Sequence, residues 1–330
     1  MKKIKNNKKK TVLVLFLIVV GLLTLWGYRY YNFLHLHPKE RELGKGAFYA
    51  VQPVAHFSSG QTACLNVEIE GKEFIAELDL GFSGDVGVNP EFVEQIVEKS
   101  FIKMSSAWGF RGNKHEERIF NIPKLKIGET VFPYPILREE NLYLWRESRL
   151  IEKNMGPAQY IGAIGWRLFK NMTLFLDLGR SKLVFCDSVE TFEMKQHSLQ
   201  SFIKAPLLLD RDILEFETET PTGTLRCFLD SGSTGNLIHF ANPEEFSFRE
   251  LIYNEQNHVK FPSFTIEGKN IGPITFYPLP LKFPFHVDAV LGMNFLLENQ
   301  VFIDFKNKQL YIRPYLKSKK KKEMSQKGDP

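Results

Sequence analysis

The sequence predicts an all-β protein of two similar lobes, preceded by one N-terminal transmembrane helix. Three observations carry that prediction. Short runs of alternating apolar and polar residues, separated by Gly, Pro and Asn, dominate from Gln61 onward. One pattern of turns and strands occurs twice along the chain. A single uncharged apolar run stands close to the start.

The chain has 330 residues, enough for about two folding units. Its 43% hydrophobic and 25% charged content is that of an ordinary globular protein. A disordered chain, a collagen-like fibre and a low-complexity array are thereby excluded. Three cysteines, with no Cys-x-x-Cys, support neither a disulfide framework nor a cysteine zinc site. Cys64, Cys186 and Cys227 read as small core residues.

Charge is distributed unevenly. Residues 1–10 carry six lysines, and residues 317–330 carry six lysines against two acids. Those tails hold more than the whole net charge of +5, so the body between them is acidic. This argues against a basic nucleic-acid-binding face and for no nucleic-acid partner.

Residues 1–10 read as a basic cytoplasmic segment and 11–28 as a transmembrane helix or signal anchor. Thr11–Gly27 is uncharged and spans roughly 26 Å as a helix. Tyr28, Tyr30, Tyr31 and Phe33 follow it and suit the membrane interface. A cleaved signal peptide is the alternative, but no small-residue cleavage site follows the run. The positive-inside rule places the remainder on the extracytoplasmic side, periplasmic, extracellular or lumenal. Residues 29–59 read as a linker, 60–190 and 191–316 as the two lobes, and 317–330 as a basic disordered tail.

Within the first lobe, Cys64–Ile69 and Phe74–Leu80 alternate around a Glu70-Gly71 turn and read as a hairpin. Pro90–Lys99 reads as a helix, with Pro at its first position and Phe92, Ile96 and Val97 on one stripe. In the second lobe, Glu215–Thr220 and Thr224–Leu229 form a matching hairpin around Pro221–Gly223. Asp79-Leu80-Gly81 and Asp230-Ser231-Gly232 each follow an alternating strand. Later, Ala163-Ile164-Gly165 and Val290-Leu291-Gly292 each lead into an apolar strand. Gly165 precedes Asp177 by 12 residues and Gly292 precedes Asp304 by 12, with Leu183 and Leu310 six further on. Asp177 and Asp304 therefore read as paired structural acids. Asp85 reads as a solvent-side or capping residue, and Glu116 and Glu117 as solvated loop residues without metal-ligand spacing.

These residues resemble the pepsin/retropepsin class of aspartic proteases in its single-chain, two-lobe form. Phe74–Gly84 and Cys227–Ile238 resemble the strand and Asp-Thr-Gly element of that family, and Tyr160–Gly165 and Ala289–Gly292 its hydrophobic-hydrophobic-Gly element. The resemblance spans about residues 60–313. It implies two pseudo-symmetric β-barrel-like lobes that meet at Asp79 and Asp230, the catalytic dyad. It implies turn and cross-lobe support from Gly81, Ser83, Ser231, Gly232 and Thr234, and structural support from Gly165 and Gly292. A flap is expected around Trp108 and Phe110. Two carboxyls sharing one proton can activate a water and protonate a leaving amine, so the chemistry needs no metal and no cofactor. The implied partner is a peptide or protein bound extended between the lobes, and one chain carrying both turns acts as a monomer. Leu80 departs from the family, which has Thr or Ser there, because Leu forms no side-chain hydrogen bond. A catalytically inactive pseudoprotease that binds peptides or a protein partner is therefore the alternative. An unrelated β-barrel or binding module is a third reading.

Overall fold

The computed structural model describes residues 49–57, 62–108, 114–140, 160–195, 198–209, 212–239, 258–279, 281 and 286–315. The chain divides into two compact units, Met1–Leu43 and Gly44–Pro330. The first unit, and with it the basic start and the apolar run 11–28, lies outside the described residues, as does the tail 317–330. Among the described residues no helix is long and apolar enough to cross a membrane.

The described chain is mostly β. Its first half contributes β1 (Tyr49–Pro53), β2 (Ala55–Phe57), β3 (Thr62–Ile69), β4 (Lys72–Asp79), β5 (Val86–Val88), β6 (Ser100–Trp108) and β7 (Lys114–Asn121). It continues with β8 (Lys124–Ile127), β9 (Thr130–Pro133), β10 (Ile136–Glu139), β11 (Tyr160–Gly165), β12 (Thr173–Asp177) and β13 (Lys182–Cys186). The second half contributes β14 (Ile203–Pro206), β15 (Glu215–Thr220), β16 (Gly223–Leu229), β17 (Leu237–His239), β18 (Val259–Phe261) and β19 (Thr265–Ile266). It closes with β20 (Lys269–Asn270), β21 (Ile274–Leu279), β22 (Ala289–Leu291), β23 (Asn299–Asp304) and β24 (Gln309–Pro314). Three short α-helices accompany them: α1 (Pro90–Val93), α2 (Val189–Lys195) and α3 (Met293–Glu298).

Two sheets share one order over eight strands, from β7 to β9 in the first and from β18 to β20 in the second. The first lobe runs β6-β7-β10-β5-β11-β4-β3-β8-β9, and the second runs β18-β21-β17-β22-β16-β15-β19-β20. In each, the strand ending at the Asp-x-Gly turn pairs in parallel with the strand of the hydrophobic-hydrophobic-Gly element: β4 with β11, and β16 with β22. In each, a short strand after the turn pairs antiparallel with that same partner: β5 with β11, and β17 with β22. The β3–β4 hairpin closes through Glu70 and Gly71 at φ 52° and 76°, the left-handed turn that Gly favours and that matches strand twist.

The third sheet joins the halves. Its order is β1-β13-β12-β23-β24-β14, so three strands of the first half stand beside three of the second in one six-stranded sheet, joined between β12 and β23. β12 and β23 are buried along their whole length. Phe175, Val184, Phe192, Phe202 and Phe302 cluster on this sheet, with Phe192 supplied by α2.

The architecture departs from the sequence expectations in three places. Strand pairing starts at Tyr49, inside the stretch read as linker, because β1 supplies an edge for β13. Residues 173–186 belong with the shared sheet, not with the first lobe alone. The helix expected over 90–99 is a single turn, α1, and Val97 is 83% exposed. After Glu94 the backbone bonds tighten to three residues, Gln95 to Phe92 and Ile96 to Val93, and the helix ends before the ladder of β6 on β7 begins at Ser100.

Candidate active site

β4 and β16 end side by side, and each delivers one aspartate. The Asp79 and Asp230 carboxyls hydrogen-bond to each other. Asp79 Oδ1 accepts the amides of Gly81 at 2.8 Å and Phe82 at 3.1 Å. Asp230 Oδ1 accepts the amide of Gly232 at 2.9 Å. Both turns repeat the hydrogen bond from the third residue back to the aspartate carbonyl, Phe82 to Asp79 and Ser233 to Asp230.

Glycine is required across the junction. A Cβ on Gly81 would lie 2.4 Å from Asp230 Oδ1, and one on Gly232 would lie 2.6 Å from Asp79 Cγ. Each carboxyl thus rests on the other lobe's glycine, which brings the pair together. Gly165 and Gly292 lie beneath the turns. A Cβ on Gly165 would be 2.3 Å from the Gly84 carbonyl oxygen, and one on Gly292 would be 2.3 Å from that of Gly235.

Burial decides the protonation of the pair. It pushes the Asp230 carboxyl well above the ordinary carboxylate range, and the charge and hydrogen bond of Asp79 push it further. Burial also raises Asp79, against the hydrogen bonds from Asp230 and the Gly81, Phe82 and Gly232 amides that favour its charged form. Both carboxyls are thus held above the ordinary range, and the pair titrates as one coupled unit that can share a proton.

Ser231 crosses between the lobes. Its hydroxyl donates to the Leu78 carbonyl at 2.6 Å and accepts the Leu80 amide at 2.9 Å, all out of solvent. Leu80 itself is 0% exposed and packs at the junction. Ser83 and Thr234 were expected among the supporting groups, but neither hydroxyl reaches a dyad carboxyl. Backbone amides already occupy those acceptors, and by the fourth residue the chain has left the turn.

The expected flap falls on the β6–β7 hairpin, where Trp108 ends β6 opposite Lys114. Phe110 lies outside the described residues. Of the acids read as solvated or capping, Asp85 and Glu117 are buried. Asp85 is 7% exposed and accepts the Ile136 amide at 2.9 Å, tying the Asp79 turn to β10. Its counterpart Asn236 accepts the Gly292 amide at 3.1 Å. Glu117 is 1% exposed on β7, with the Arg138 guanidinium at 3.3 Å, while Glu116 is exposed. The strand period turns Glu117 inward, a signal hidden by the run of charge around it. Asp177 accepts from Gln300 Nε2 at 2.7 Å and from the Tyr315 hydroxyl, and Asp304 caps Asn307, so both acids are structural. All three cysteines are free and buried. Among the described residues, no three His, Cys, Asp or Glu side chains gather as metal ligands.

Sequence reading missed Glu140. Its carboxyl is pushed up to about 7 by burial first, then by the charges of Glu117 and Asp79. It lies beside Phe82, whose ring rests on Gly84, Gly87 and Gly165 with the Arg138 guanidinium 5.8 Å above it.

No family model matches the chain, and no curated protein matches it. Solved structures do. The crystal structure of basic 7S globulin from soybean superposes with a TM-score of 0.51 at 11% identity, over 81% of this chain and 95% of that one. At that identity the likeness shows the fold alone: mostly β and pepsin-like.

Proposed function

We propose that the protein is an aspartic-type endopeptidase, anchored by residues 11–28 with its catalytic part on the extracytoplasmic side. The observation that carries this reading is the hydrogen-bonded Asp79/Asp230 pair, seated on crossed glycines where two equivalent strands end. Asp79, ionised, takes a proton from a water as that water attacks the scissile carbonyl carbon. Asp230, protonated, gives its proton to the carbonyl oxygen. Collapse of the resulting diol breaks the C–N bond: the proton held by Asp79 leaves with the amine, and one diol hydroxyl returns its proton to Asp230 as the new carbonyl forms. The substrate is a peptide or protein held extended between the lobes by strand-like pairing. The reaction uses no metal or cofactor, and one chain supplies both aspartates, so the monomer suffices.

Leu80 favours a second reading, a pseudoprotease that binds peptides or a protein partner without cutting. The side chain at that position has no hydroxyl to return the bridge that Ser231 makes.

The test is incubation of the full chain with a diverse peptide mixture from about pH 3 to about pH 7.5, beside Asp230→Asn. Cuts made by the wild type and missing in the variant support the endopeptidase. Peptides retained but uncut by a folded chain support the pseudoprotease. Retention of the full chain in alkali-washed membranes, lost on deleting 11–28, tests the anchor.

A further inference from the structure

We infer that the base of the β6–β7 hairpin and the adjoining β9–β10 corner form a bilayer-docking face, which rests the folded body on the surface of the membrane that holds residues 11–28. The inference rests on the anchor of the proposed reading and not on peptide cleavage.

Six large apolar side chains stand exposed among the described residues: Val97, Phe101, Met104, Val131, Tyr134 and Met194. All but Met194 fall between residues 97 and 134. Single exposed apolar residues are ordinary, but a gathering of them marks a surface that meets something apolar. The fold gathers these. The Lys99 amide closes a turn on the Val97 carbonyl at 3.0 Å, and the chain leads straight into Ser100, the first residue of β6. Ser100 pairs with Asn121, whose side-chain amide donates to the Tyr134 carbonyl at 3.2 Å. The Tyr134 amide in turn donates to the Pro123 carbonyl at 2.9 Å. Val97, Phe101 and Tyr134 therefore belong to the same end of the first lobe's sheet. The bulge between Phe101 and Lys103 adds Met104 to them. Phe101 pairs with Phe120 and Met104 with Arg118, two residues apart on β7, so both side chains take one face of β6.

The occupant follows from the chain that precedes the fold. Residues 29–48 join the apolar run to β1, and twenty residues reach at most about 70 Å. The body is thus held near a bilayer, so that even a modest apolar contact meets lipid at high effective concentration. The chain also enters the fold beside this face. The Gln52 side chain of β1 lies where a Cβ on Gly128 would stand, at the β8–β9 turn, and β9 runs from that turn through Val131 to Pro133, next to Tyr134. Phe and Tyr are the side chains that suit a membrane interface. Exposed Lys103 and Lys124 flank the face and exposed Glu98 opposes them, so apolar contact and not net charge carries the docking.

A polarity-sensitive dye on the full chain, reconstituted at one chain per nanodisc of zwitterionic phosphatidylcholine, tests this. The native cysteines are buried, so the dye reads an introduced one. Dye on Phe101→Cys or Tyr134→Cys is expected to emit at shorter wavelength and to be quenched by spin-labelled lipid. It should be several-fold less open to iodide than dye on Met194→Cys, the exposed apolar residue of α2. Val97→Glu with Phe101→Glu should return the dye at 134 to the behaviour of the dye at 194. Equal behaviour at 101, 134 and 194 overturns the inference. So does protection of 101 and 134 that appears only at two chains per disc, because a second copy then covers the face. A chain retained in alkali-washed membranes whose dye at 101 stays open to iodide keeps the anchor and removes the docking face. A chain lost from washed membranes whose dye at 101 still meets lipid keeps the face and removes the anchor.

Discussion

The two lobes share a backbone and differ in chemistry. One transverse row shows this. In the first lobe the register aligns Glu77, Ala163, Gly87 and Arg138 across β4, β11, β5 and β10. The equivalent row of the second lobe is Phe228, Val290, Leu237 and Tyr277, and three of these pack into an apolar cluster with Leu279 and Val287. The same contrast appears at the turns. Leu80 stands opposite Ser231, Phe82 opposite Ser233, and Asp85 opposite Asn236. The duplicated fold demands only glycines and pairing at fixed positions. It leaves the remaining positions free, so one lobe builds a dry apolar core where the other carries charge beside its aspartate.

The shared demand gives the largest expected effect. Gly165→Ala and Gly292→Ala each push a Cβ to 2.3 Å from a backbone carbonyl oxygen, which cannot rotate aside. Each is expected to cost roughly 3 kcal/mol or more by overpacking and backbone displacement. The two costs should agree, as measured by urea unfolding. Unequal costs would break the equivalence of the lobes at this position.

What was legible in the sequence follows the same division. The hairpins, the Asp-x-Gly turns and the repeated glycines obey local rules, so spacing placed them, and the family resemblance supplied the supporting role of Gly165 and Gly292. The six-stranded sheet depends on pairing between β12 and β23, more than a hundred residues apart, which no local pattern encodes. Ser231 was legible as a cross-lobe residue, but its two acceptor and donor partners were not, because they are backbone groups of the other lobe. Glu117 and Asp85 read as solvated or capping acids, and Glu140 carried no signal in the sequence. Their burial comes from neighbours on β5, β7 and β10 that only the fold assembles. The helix over 90–99 failed for the opposite reason: a good local stripe yielded to the strand that begins at Ser100.

The paired acids sharpen the comparison at the shared sheet. Asp177 is 4% exposed and accepts from Gln300 and Tyr315, which lie in the second half of the chain. Asp304 accepts only from Asn307, within its own turn, at 3.0 Å to the amide and 2.7 Å to Nδ2. Asp177→Ala strands the buried Gln300 amide and the half-buried Tyr315 hydroxyl and is expected to cost about 2–4 kcal/mol. Asp304→Ala loses a local cap and is expected to cost about 1 kcal/mol. Calorimetry of both variants checks the ranking, and equal costs would refute the cross-half role of Asp177.

The dyad should show the opposite sign. Both aspartates have folded values raised above their ordinary one. The stability they contribute is fully present below the unfolded value and is lost as pH rises through the raised folded values. Removing one ionisable partner relieves that loss. Asp230→Asn is therefore expected to stabilise the fold at neutral pH by roughly 1–3 kcal/mol, and by less near pH 4. Melting temperatures at the two pH values test this, and a destabilised variant at neutral pH would contradict a buried, proton-sharing pair.

The smallest expected effect isolates the asymmetry around the dyad. Glu140 stands two residues beyond Arg138, where the second lobe has Leu279, two beyond Tyr277. Its carboxyl, held up to about 7 by burial and by Glu117 and Asp79, gains charge as the pH rises through neutrality. That charge disfavours full ionisation of Asp79 and so holds the alkaline limb of the dyad up. Glu140→Gln removes the charge but keeps the size. The alkaline limb of peptide cleavage should then move to lower pH by a fraction of a unit, with the acid limb unchanged. The linked stability has the same origin: Glu140 contributes most below its unfolded value near 4.5, and that contribution is lost as pH rises through about 7. Glu140→Gln should flatten stability across that window. Leu279→Gln, in the other lobe, should shift neither curve, because no charge acts on Asp230 from there. A matching shift in both variants would mean that the lobes differ in sequence at this row without differing in their effect on the dyad.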